Sequence, residues 1–167
     1  MVKKKHCYTD TWLWLDMDNM GYLFEYCDDM FHKAFNVWID RTKFIKKFLV
    51  SDCRKAIDVG NGALVAGPAL DIVYKYARVD LGLDFTDILE NPDGLEFAYN
   101  DFQLFWVGQA YVYLHFRLDM YTEDVVKVIP FEEMLEFYWT GHQLGWAGFY
   151  DRVKWKFGIE EEDLRKH

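Results

Sequence analysis

GNGALVAGPAL, residues 60–70, holds the choice between two folds. Gly62 and Gly67 stand at the G-x-x-x-x-G spacing of a phosphate-binding loop, in which backbone N–H groups at the end of a strand cradle phosphate oxygens. Such a loop also needs a lysine to reach the phosphates and a Ser or Thr to hold magnesium. Pro68 and Ala69 fill those two places, and proline removes an N–H as well. Upstream, Ile45, Phe48, Leu49, Cys53, Ala56 and Ile57 recur at helical spacing, so a helix and not a strand leads into the glycines. The stretch therefore reads as a turn between two helices. Gly60, Asn61 and Gly62 stop the first helix, and Pro68 opens the second.

The same periodicity extends in both directions. From Asp10 to about Asp29, Trp14, Met17, Met20, Leu23, Phe24 and Cys27 form an apolar stripe, with Asp10, Asp16, Asp18, Asp28 and Asp29 between or outside it. Further helices are predicted from about Phe31 to Trp38, from Arg41 to Asp58, and from Pro68 to about Val79 through Ile72, Val73, Tyr76 and Ala77. Residues 80–100 read as a surface connection. Asn100 or Asp101 then caps a helix to about Leu118, with Phe102, Phe105, Trp106, Gln109, Ala110, Tyr113 and Phe116 on one face. Thr122, followed by Glu123 and Asp124, caps a short helix that ends before Pro130. Pro130 opens another, striped by Phe131, Met134, Leu135, Tyr138 and Trp139, and a last helix spans about Trp146 to Phe157. No repeat and no strand pair is evident. The expectation is an all-α protein, one compact helical domain over residues 1–167 with about six to eight helices, frayed over the first few residues and over 160–167.

Composition narrows the function classes. Aromatic residues make up 19% of the chain, which implies a dense core with some aromatics left for an interface. The net charge of −9 repels a phosphate backbone, so direct nucleic-acid binding is disfavoured. The local basic run RTKFIKK (41–47), with Arg54 and Lys55, reads as the solvated face of a helix. Cys7, Cys27 and Cys53 form no C-x-x-C pair, and reduced thiols in a cytoplasm are the simplest reading. The only early apolar run is WLWL, too short for a signal peptide or a membrane span, so a cytoplasmic location is expected.

Catalytic signatures are weak. His32, His115 and His142 lie far apart and show no metal-binding spacing. His115 within VYLHF and His142 at a helix end both read as hydrogen-bonded structural histidines. Cys53 falls on an apolar stripe, where a thiol is buried and inert. No G-x-S-x-G occurs, and an acidic chain always offers carboxylate pairs. No cofactor or metal site is predicted, and an enzyme is disfavoured.

Two blocks carry a family likeness: residues 43–75 and residues 101–153. Phe48, Leu49, Ser51, Gly60, Asn61, Ala66 and Gly67 match an F-L-x-S-G-x-A…G-N-P-x-x-x-A-G segment. Trp106, Gly108, Ala110 and Tyr113 match a W-x-G-W-x-x-x-Y-Y motif, and Tyr138 with His142 match an aromatic–H-E-x-D motif. The chain thus resembles, over its central two thirds, the N-terminal, non-DNA-binding region of small helix-turn-helix regulators of Firmicutes, which look antitoxin-like or phage-associated. It departs from the pattern at Asp52, Gly62, Gln109, Gln143 and Gly145, so chemistry resting on a histidine–acid cluster does not carry over. Those regulators continue into a basic helix-turn-helix, whereas this sequence closes with EEEDLRKH. The resemblance implies a companion module that binds a protein partner: a toxin, a regulator or a defence protein.

Trp106, Tyr113, Tyr138, Trp139, His142 and Trp146 are the expected partner-binding residues, since desolvated aromatics supply most interface energy. At least half of them are expected to be buried in the domain's own core. The alternative is an acidic phage-type inhibitor that mimics nucleic acid, of the anti-restriction or anti-CRISPR kind, resting on the net charge and the Asp-rich first helix. An enzyme would require a polar pocket joining His115 and His142.

Overall fold

The computed structural model describes residues 10–90 and 100–159. Along them run α1 (Asp10–Phe35), α2 (Arg41–Leu49), α3 (Asp52–Asp58), the single turn α4 (Gly62–Val65), α5 (Ala69–Val79), α6 (Asp101–Leu118), α7 (Thr122–Val128), α8 (Phe131–Gly141) and α9 (Gly145–Phe157). Among the described residues the only strand-like pairing is an isolated antiparallel bridge between Ile39 and Leu89. The protein is all-α and forms one compact helical domain. Among the described residues, no helix is long and apolar enough to cross a membrane. The fraying expected at both termini lies outside the described residues, as does the second half of the 80–100 connection.

Helices α1 and α6 form the central pair, and α1 also rests on α5. Glycines set how closely the central pair approaches. A Cβ added at Gly108 would lie 2.7 Å from the carbonyl carbon of Met20 and 3.0 Å from the amide nitrogen of Gly21. At Gly21 the same position is taken by the Phe105 ring, 2.8 Å away. Because α6 is surrounded, its apolar residues cannot lie on one stripe. Leu104, Val107, Tyr111, Val112, Leu114 and Leu118 are buried beside Trp106 and Ala110. Of the face predicted from sequence, Trp106 and Ala110 are buried, whereas Phe102 is 76% exposed and Phe105, Gln109, Tyr113 and Phe116 are half-buried at the edge of α6.

Local chemistry explains most boundaries. α1 continues past the predicted break near Asp29 and kinks at Tyr26 (φ −119°, ψ 16°), ending where Asn36 turns left-handed (φ 56°). Its inner stripe is the predicted one from Met17 to Cys27, but Leu13 is buried and Trp14 is 54% exposed. The predicted 41–58 helix is two helices. Ser51 caps α3 by accepting from the Arg54 amide (3.0 Å) and donates to the Phe48 carbonyl (2.7 Å). Asn100 and Gln103 form the capping box that opens α6. Thr122 is not a cap: Tyr121 precedes α7 without a side-chain bond, and the Thr122 hydroxyl donates to Asp58 (2.7 Å).

The 60–70 stretch is a turn, with Gly60 left-handed (φ 85°) and Pro68 extended ahead of α5. Asn19 on α1 donates from Nδ2 to the carbonyls of Val65 and Gly67, both at 3.1 Å. The loop therefore turns carbonyls, not amide hydrogens, toward its neighbour, the opposite polarity to a phosphate cradle.

Candidate interaction surface

Polar chemistry concentrates in one place that sequence reading missed. Arg54 on α3 donates to both oxygens of Asp16 on α1, each at 2.7 Å, and from Nε to Asp58 (2.9 Å) and Thr122 (3.2 Å). Asp58 also accepts from the Thr122 amide at 2.6 Å. His115 on α6 closes the cluster, with Nδ1 3.4 Å from Asp58, Nε2 3.8 Å from Asp16, and Nδ1 3.3 Å from the Met120 carbonyl. Each of these five residues is at most 1% exposed. The guanidinium occupies the space between the carboxylates, so the cluster is a sealed tie among α1, α3, α6 and α7. Among the described residues, no group of three or more His, Cys, Asp or Glu could hold a metal ion.

Two sequence expectations are corrected here. Asp16, predicted outside the apolar stripe, is buried because Arg54 meets it. The basic run is not merely solvated. Arg41 pairs with Asp101 (2.8 Å), Lys46 with Glu132, Lys47 with Asp87 (2.8 Å) and Lys55 with Glu123 (3.2 Å). These bridges tie α2 and α3 to the rest of the fold.

The remaining nucleophile candidates are inert as placed. Burial pushes the Cys53 thiol up to about 12, with Asp80 acting in the same direction. Burial also raises Cys27 well above the ordinary thiol range. His142 is exposed at the end of α8 and stacks on Tyr138 (4.2 Å, 9°), while His115 lies in the sealed cluster. The structure does not bring the two histidines into one pocket.

All six sequence-predicted aromatic-site residues meet in one continuous cluster on α6, α8 and α9. Trp106 stacks on Trp146 (5.9 Å, 8°), which stacks on Tyr113 (5.2 Å, 30°). Trp106 meets Tyr138 edge-on at 5.9 Å, and Tyr138 meets Trp139 edge-on at 5.3 Å. Phe149, absent from the sequence-based set, packs edge-on against both Trp106 (4.9 Å) and Trp146 (5.9 Å). Its place three residues after Trp146 was the signal that could have found it. Gly141 lets α8 close on this core, since a Cβ there would lie 2.9 Å from the Trp106 ring.

Burial is graded across the cluster. Trp106 is buried; Tyr113, Tyr138 and Trp146 are half-buried; His142 and Trp139 are exposed, the latter at 55%. Leu144, next to this end, is exposed too. The predicted inward place for Trp139 is taken by Phe137 and Gly141. The inner residues supply rigidity, and the outer ones present apolar surface already held in one geometry, which lowers the ordering cost of binding.

No protein-family model matches the chain, and no curated protein and no solved structure matches it either.

Proposed function

We propose that the chain is a non-catalytic protein–protein interaction module, antitoxin-like or regulatory, that works in the cytoplasm through the outer end of its aromatic cluster. The observation that carries this reading is the graded stack, in which Trp139 and His142 stand exposed on a buried Trp106–Phe149 base. Exposed aromatics on a fixed support have the character of interface hot spots. Trp106, Tyr138 and His142, the residues through which the chain resembles those regulators, lie together in this cluster, and the antitoxin-like part of the reading rests on that resemblance alone. The partner expected is a toxin, a regulator or a defence protein.

Retrieval of a tagged chain with its bound partner, followed by a salt titration of that complex, tests the reading. An aromatic interface holds at about 0.5 M salt, because exposed charge interactions are screened there and apolar contacts are not. A steep loss of binding with salt would favour the acidic inhibitor that mimics nucleic acid. That second reading rests on the net charge of −9, and its acidic first helix already commits Asp16 to the interior.

A further inference from the structure

Phe137 and Trp139 stand two residues apart and so face different sides of α8. On the Phe137 side, α8 and α9 enclose a groove with a cavity of about 250 Å3, lined by Glu136, Phe137, Thr140, Arg152, Trp155 and Lys156. Trp155 is 78% exposed, more than any other large apolar residue described. The Arg152 guanidinium sits 6.0 Å from the Trp155 ring centre, and the Lys156 ammonium sits 5.0 Å from that of Phe137. Among the described residues neither cation forms an ion pair, although Glu136 lines the same groove. By contrast Lys46, Lys47, Lys55 and Lys127 each hold a carboxylate.

We propose that this groove binds an acidic peptide segment of a protein partner. An apolar side chain would lie on Phe137 and Trp155, and carboxylates would run beside Arg152 and Lys156. Charge and shape together point to this ligand: in a chain of net charge −9, Arg152 and Lys156 place two cations with no ion pair among the described residues beside the exposed Trp155 ring in one groove. Glu136 on the α8 side sets the orientation by repelling carboxylates toward α9. A peptide that alternates apolar and acidic residues fits a groove with one aromatic floor and one basic wall. A uniformly charged phosphate backbone does not. This second surface does not depend on Trp139 and His142, and its test can fail or succeed separately.

The test is fluorescence anisotropy with the full chain and a labelled peptide of alternating Glu and Leu around one Phe. Its Gln-for-Glu counterpart and oligothymidylate serve as competitors. The acidic peptide is expected to bind. Trp155→Ala should weaken it about tenfold or more. Joint Arg152→Glu and Lys156→Glu should abolish binding and transfer it to a Lys-for-Glu peptide, while Trp14→Ala, an exposed tryptophan on α1, leaves it unchanged. Glu136→Gln should tighten it. All these side chains but Phe137 are exposed, so each variant should keep the parent melting temperature. Equal binding of the Gln peptide, tighter binding of oligothymidylate, or no binding up to about 1 mM would overturn the proposal. So would binding that appears only after Glu160, Glu161, Glu162 and Asp163 are neutralised, since the groove would then belong to the chain's own acidic stretch.

Discussion

Helix α6 reaches two regions of opposite character. Through His115 it joins Arg54, Asp16, Asp58 and Thr122, which are charged or polar and sealed from solvent. Through Trp106 it joins Tyr138, Trp146 and Phe149, which are aromatic and lead outward to Trp139 and His142. The usual association of charge with surface and aromatics with core is reversed at both ends. Charge is buried where every oxygen and nitrogen can find a fixed partner, and that arrangement leaves no room for a ligand. Aromatic surface is left exposed where inner rings hold it in place, and that arrangement leaves contact area for a partner. The polar region holds the helices together, and the aromatic region is the surface proposed above for a partner.

Breaking the sealed region should cost most. Arg54→Ala strands two buried carboxylates without their cation and is expected to remove about 3–5 kcal/mol, measured by urea unfolding. Arg54→Lys should rescue little, because one ammonium cannot reproduce a fork that reaches both Asp16 and Asp58. If Arg54→Ala proves near neutral, the cluster is not the tie described. At the inner end of the aromatic region, Trp106→Ala should cost about 3 kcal/mol. That is the lower part of the range for such truncations, because half-buried rings beside it can collapse inward. Thr122→Val keeps the shape of the side chain but removes the hydroxyl bonded to Asp58, and a loss of about 1–3 kcal/mol is expected in the same assay.

The edge of the sealed region should also be visible in alkali. Cys53 adjoins Arg54 in sequence, and its thiol is held at about 12 against an ordinary value of 9.0. Between those values the unfolded chain releases the proton and the folded chain keeps it, so stability is unaffected below about pH 9 and falls as pH rises toward 12. Burial raises the phenols of Tyr76 and Tyr111 as well, and they act in the same direction. Urea midpoints that stay constant between pH 8.5 and 10.5 would contradict this burial. Cys53→Ala should remove part of the slope. At the outer end of the aromatic region the effect on stability should be smallest. Trp139→Ala is expected within about 0.5 kcal/mol of the parent, as for other surface changes.

Much of the fold was legible because helical spacing, turn glycines and prolines are local signals. Gly60 and Pro68 marked a turn, and Asn100 or Asp101 marked a helix start, at which Asn100 is the cap. What was not legible depended on contacts distant in sequence. Asp16 lies 38 residues from Arg54, and nothing near either one indicates that they pair in the interior. The same limit applies to α6: a helix apolar on most sides carries little periodic signal, so the single face predicted for it mixes the buried Trp106 and Ala110 with residues at its edge. In the aromatic region the composition of the cluster could be read, since its members recur within short helical intervals. The direction of each ring could not: Trp139 belongs to the apolar stripe by sequence and to the surface by structure.

The most direct measurement compares the parent chain with the Trp139→Ala/His142→Ala double variant, each tagged and retrieved with the native partner in equal amount. Partner yield and melting temperature are read on the same preparations. The double variant is expected to lose the partner while its melting temperature stays unchanged. Full partner yield from the double variant at equal stability would contradict the assignment of this aromatic end as the interface.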